Sequence, residues 1–151
     1  MHTLSYSIGG LVIACHNEIC DKLLYISQRA FTSAPVRAKP LIHQGRKISE
    51  IEIRQGSYKH KDTRGDVMVR GLWDRQVDAT IDVKIGDDDA DTYKYEPMTA
   101  LLARWENTKK DKHGKDCHDQ WKHFPPFVLS VDGKIGREYP VVLYQLSRVM
   151  K

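Results

Sequence analysis

The 151 residues predict an α/β fold in which helices cover both faces of a mixed sheet. Three observations carry that expectation. A 3.6-residue apolar stripe opens the chain, a pair of period-two segments forms its middle, and two further apolar stripes flank one more short strand near the end. The resulting order is helix, edge strand, hairpin, helix, strand, helix.

The first stripe runs from Leu11 to Phe31. Ile19, Leu23, Ile26 and Ala30 recur at helical spacing, with Glu18, Asp21, Lys22 and Arg29 on the other side. Pro35 ends it. Val36 to Ile42 predicts a short strand, which Pro40 restricts to an edge or a bulge. Ile48 to Ile53 adds a weaker strand, and the polar, basic Gln55 to Arg64 reads as a loop. In the hairpin, Asp66, Met68 and Arg70 share one face of the first strand. Across a turn at Gly71-Leu72-Trp73-Asp74, the second strand has Val77, Ala79, Ile81, Val83 and Ile85 facing one way. Asp78, Thr80, Asp82 and Lys84 face the other. Gly86 to Asp91 is a loop. A helix follows on Met98, Leu101, Leu102 and Trp105, reaching about Asn107 or resuming after Gly114 as far as Lys122. Phe124-Pro125-Pro126 breaks it, and Phe127 to Val131 is a strand stopped by Asp132-Gly133. Ile135, Tyr139, Val142, Leu143, Leu146, Val149 and Met150 form the inner face of a last helix.

This length predicts one domain, with a core over about residues 11–150. A composition 40% hydrophobic and 29% charged belongs to a folded chain. No apolar run approaches the roughly 20 residues needed to span a bilayer. Met1 to Ala14 lacks a basic n-region, so a nuclear or cytoplasmic protein is expected rather than a secreted one. The net charge of +4 permits a nucleic-acid partner without demanding one. Basic residues gather at Arg54, Lys59, Lys61 and Arg64 and again from Lys109 to Lys122, around an acidic knot of Asp87, Asp88, Asp89 and Asp91.

Asp82 and Lys84 leave the same strand face about 7 Å apart, and Asp66 starts the neighbouring strand. Two carboxylates suit a hard divalent cation such as Mg²⁺ or Mn²⁺, which activates water and neutralises charge on a phosphate. A nearby lysine can stabilise the transition state. Glu18 is the candidate third carboxylate if the first helix packs over the hairpin. The plain alternative is a solvated Asp–Lys pair worth less than about 1 kcal/mol.

Gly65-Asp66, a turn, and Asp82-Val83-Lys84, set in an α-β-β-β-α-β order, resemble the PD-(D/E)xK restriction-endonuclease-like superfamily. Further stretches are similar to the C-terminal region of eukaryotic retroelement reverse-transcriptase reading frames. These are Gly9-Gly10-Leu11-Val12, His16-Asn17-Glu18-Ile19, Val36-Arg37 ahead of Pro40, Ile42-His43-Gln44-Gly45-Arg46, Arg64-Gly65-Asp66-Val67 and Pro126-Phe127 to Gly133. The resemblance implies a metal-dependent endonuclease with DNA ahead of RNA as its nucleic acid, with Asp66, Asp82 and Glu18 at the metal and Lys84 beside it. Lys39 and Tyr6 depart from that pattern, where an acidic residue and a cysteine are usual. The alternatives are a catalytically inactive nucleic-acid-binding remnant and a protein-interaction domain.

Cys15, His16 and Cys20, with His113, Cys117, His118 and His123, offer zinc-type donors, but Cys15 and Cys20 do not fit the tight C-x₂-C spacing that structural zinc sites favour. No patterned partner activates a cysteine nucleophile. Trp105 continues the Leu101-Leu102 stripe and is assigned to the core, while Trp73 and Trp121 are candidates for base stacking.

Overall fold

A computed structural model describes residues 3–43, 63–87, 93 and 95–150. Helix α1 spans Thr3–Ala30. It begins earlier than the apolar stripe, despite the low helix propensity of Gly9-Gly10. Leu23 is buried, and Val12, Cys15, Ile19, Ile26 and Ala30 pack against the same core. That face lies on the sheet.

The expected strand from Val36 to Ile42 divides at Lys39-Pro40 into β1 (Val36–Ala38) and β2 (Leu41–His43). Lys39 has φ of 51° and donates its N–H to the Asp66 carbonyl at 2.9 Å, so the chain turns out of one sheet there. Strand β3 is Thr63–Arg64, which converts the end of the expected basic loop into the partner of β2. The strand expected over Ile48 to Ile53 lies outside the described residues.

Strands β4 (Val67–Arg70) and β5 (Asp78–Gly86) form the expected antiparallel hairpin, with Val67 opposite Ile81 and Arg70 opposite Asp78. Strand β6 (Pro126–Ser130) runs parallel to β5. The four-stranded mixed sheet is ordered β1-β4-β5-β6, with β1 at its edge as Pro40 required. Ile81, Val83, Ile85, Phe127 and Leu129 face a core shared with α1 and the last helix. Their neighbours face the other way, where Val128 packs with Leu101, Leu102 and Trp105. Helices therefore cover both faces.

Helix α2 is Met98–Lys109. Gly114 does not interrupt it: a π-helical turn over Lys110–Gly114 carries the chain into α3, Lys115–Asp119. The bend and break come at Trp121, with φ of 57°, and at the prolines after it. Gly86 passes so close beneath Trp105 that an added Cβ would overlap the indole. Helix α4 is Glu138–Val149. Its inward stripe is narrower than expected: Val142 and Leu146 are buried and Tyr139 stacks on Phe127 at 4.1 Å, whereas Leu143, Val149 and Met150 are exposed. Ile135 precedes the helix and is exposed too. No helix among the described residues is long and apolar enough to cross a membrane.

Candidate functional site

The site begins with a glycine that must be small. A Cβ on Gly65 would overlap the Thr80 methyl, so only glycine lets the chain reach the sheet here. Its N–H donates to the Pro40 carbonyl at 2.9 Å, and the next residue, Asp66, donates its own N–H to the Ile81 carbonyl at 3.0 Å. Continuing the β4–β5 register by one residue sets Asp66 across from Asp82. The Asp66 carboxylate then folds onto β5, where Oδ2 accepts the Val83 backbone N–H at 2.8 Å. Lys39 Nζ donates to its Oδ1 at 3.1 Å, and His16 Nε2 lies 3.4 Å from Oδ2.

Asp82 is buried and its Oδ2 is 2.8 Å from Lys109 Nζ. The two aspartates influence one another and shift in opposite directions. Burial raises the Asp82 carboxyl, Lys109 opposes that rise, and the Asp66 charge adds to it. Burial alone would also raise Asp66, yet the Val83 N–H, Lys39, the Asp82 hydrogen bond and His16 together hold it below its ordinary value. The pair thus carries a proton on Asp82 more readily than on Asp66. Lys84 lies half-buried on the same face as Asp82, its Nζ 5.4 Å from the Trp105 ring centroid. Burial and the neighbouring Lys109 lower its pKa, against the pull of Asp82.

Asp66, Asp82 and Lys84 are therefore brought to one end of the hairpin. Glu18 is not among them. It is exposed, hydrogen-bonded to Lys22 at 2.6 Å, and faces away from the sheet. Half a turn on either side of it, His16 and Cys20 are the α1 residues that reach Asp66, since positions four apart share a helix face. The donor set tests the expected cation: two buried carboxylates facing one another provide the hard oxygens that Mg²⁺ or Mn²⁺ takes. His16, Cys20 and Asp66 offer a different mixture of nitrogen, sulfur and oxygen.

Four residues of this neighbourhood were not singled out for it by sequence: Lys39, Lys109, His16 and Cys20. Lys109 left a trace, because Leu102, Trp105 and Lys109 continue one helical stripe. The spacing of His16 and Cys20 was readable too, but their partner is 46 residues beyond Cys20 in the chain (66 − 20). Among the described residues, no other histidine or cysteine joins them. Cys117 is buried with its thiol pushed up to about 11 by burial, and His113 packs edge-on against Phe124 at 5.7 Å. Trp73 meets His123 edge-on at 5.4 Å, whereas Trp121 is 88% exposed. Of the first basic run only Arg64 is described, and it donates to the Lys39 carbonyl at 3.1 Å. Compared with models of known protein families and with curated proteins, the chain matches none.

Proposed function

We propose that this protein is a metal-dependent nuclease domain of restriction-endonuclease-like topology that hydrolyses phosphodiester bonds in DNA. One observation carries the reading: Asp66 and Asp82 face each other across two paired strands, with Lys84 two residues along on the same face. The four-stranded sheet supports it: β1, β4 and β5 are antiparallel and lie between α1 and α2, and β6 follows parallel to β5, while β2 and β3 pair apart from this sheet. The similarity to retroelement reading frames makes DNA the first substrate to try.

Asp66 and Asp82 would hold the cation, and the cation when bound would neutralise phosphate charge and activate a water. Lys84, whose pKa is lowered by burial, would contact a phosphate oxygen or orient that water. The Trp105 ring centroid lies 5.4 Å from the Lys84 ammonium, and the Val83 N–H anchors Asp66, so both groups are partly ordered before a substrate arrives.

Nicking of supercoiled plasmid in Mn²⁺ and in EDTA, by the wild type and by Asp82→Asn, tests the proposal. The expected result is cleavage that needs the metal and falls on the order of a hundredfold in the variant. Equal cleavage by both proteins would overturn the site assignment.

A second reading has its own observation. Each carboxylate is already paired with an ammonium group, Asp66 with Lys39 and Asp82 with Lys109, so the network is neutralised without a metal. On that reading the fold binds nucleic acid without cutting it. Its sign is salt-sensitive binding in EDTA that persists in Asp82→Asn. A flat titration against both DNA and RNA would point instead to a protein partner.

A further inference from the structure

We propose that His16, Cys20 and Asp66 form a site for a borderline transition-metal dication of the zinc type, with one coordination position left to solvent. One ligand atom from each of the three residues lies within 4.8 Å of the others. His16 Nε2 is 3.4 Å from Asp66 Oδ2, and Cys20 Sγ is 3.8 Å from either ring nitrogen of His16. Tetrahedral zinc, with bonds of about 2.0 Å to nitrogen or oxygen and about 2.3 Å to sulfur, separates its donors by roughly 3.3–3.6 Å. The three side chains therefore need only small shifts to close on an ion.

The mounting is rigid as well as near. His16 and Cys20 stand four residues apart on one face of a long helix, so their separation is set by the helix itself. Asp66 is anchored by the Val83 N–H at 2.8 Å. Asn17 Oδ1 lies 3.5 Å from His16 Nδ1, the nitrogen away from the carboxylate, where an acceptor fixes a metal-binding ring. Lys39 holds the other Asp66 oxygen at 3.1 Å and offsets part of the charge that an ion would meet. Burial pushes the Cys20 thiol up to about 12, with the Asp66 charge adding to it. Ligation therefore requires that the thiol proton leave to solvent as the sulfur–metal bond forms.

This donor set differs in kind from the two facing aspartates. Nitrogen and sulfur select zinc, cobalt or copper over magnesium. The inference does not depend on cleavage, because its readout needs no nucleic acid.

Titration of the whole chain with Co²⁺ tests it. One equivalent is expected to bring in a thiolate-to-cobalt charge-transfer band together with ligand-field bands, both displaced by Zn²⁺. Cys20→Ala should lose the charge-transfer band, and His16→Ala should weaken the affinity at least about tenfold. Since Cys15, Cys20 and Cys117 are the chain's three cysteines, a Cys15→Ala/Cys117→Ala protein keeps Cys20 as its sole thiol and should keep the band. That form maintains the test if Cys20→Ala fails to fold. No charge-transfer band in the wild type, or a band that survives Cys20→Ala or vanishes from the folded sole-thiol protein, would overturn the site.

Discussion

Lys109 is the counter-ion that makes a buried Asp82 tolerable. Its Nζ lies 2.8 Å from Oδ2, and the lysine itself is largely covered. Removing it strands a carboxylate in a place where burial already raises its pKa. Lys109→Met should lower stability by about 2–4 kcal/mol in urea unfolding. Asp82→Asn in the same background should recover much of that loss, because the amide needs no counter-ion; purely additive losses would show that the pair is not coupled. At this scale the sequence revealed the residues that one strand organises. Asp82 and Lys84 were readable because a period of two sets both on one face, and Asp66 because a glycine and a strand start announce it. Lys39 was not, and Lys109 showed only its helical stripe, since nothing local shows which cation a distant fold will bring to a carboxylate. Glu18 failed for a related reason. Helical periodicity puts it on the polar side of α1, so packing that helix on the sheet turns it outward.

The π-helical turn from Lys110 to Gly114 shows what element-level reading can and cannot supply. The stripe of Leu101, Leu102 and Trp105 predicts α2 directly, but Gly114 leaves its length open between two ends. The structure resolves this with one wider turn, and that turn buries His113. Burial lowers the His113 pKa from 6.5, and Lys112 and Lys109 lower it further against Asp116. An unfolded chain takes up this proton just below pH 6.5, while the folded one resists it, so unfolding binds protons in that interval. Stability contributed by the neutral ring is therefore present above about pH 6.5 and lost as the pH falls toward the folded value. Urea midpoints measured from pH 7.5 to 5 should decline, and His113→Leu should flatten the decline. An unchanged slope in the variant would assign the dependence to other groups. In α4 the sequence pattern was too generous. Seven apolar residues suggested one broad face, yet only the part that meets Phe127 and α1 is covered.

Across the whole molecule, the two faces of the sheet are unequal. The α1/α4 side gathers Leu23, Val67, Val69, Ile81, Val83, Phe127, Val142 and Leu146 into one core, whereas the α2 side rests on Leu101, Leu102, Trp105 and Val128. Apolar burial scales with area, so the α2 layer is held by less. Native-state hydrogen exchange should show α2 and α3 opening at lower free energy than β5 and β6, with protection factors smaller by at least about tenfold. Uniform protection across both layers would contradict that order. Layering of this kind was legible from the alternation in β5, which already divided its residues into an apolar set and a polar set. Alternation alone reads as a solvated polar face; the element order, which puts helices on both faces, is what places Asp82 in the interior.

One bond described above ties these scales together. By accepting the Val83 N–H, the Asp66 side chain does what a neighbouring strand's carbonyl would otherwise do, and it completes the sheet at the point where β4 gives out. On the nuclease reading proposed above, Asp66 serves both the metal and the sheet. A lineage that abandoned the chemistry would still be held to this aspartate by the need to fold, while Lys84, which the sheet does not require, would be the first to drift.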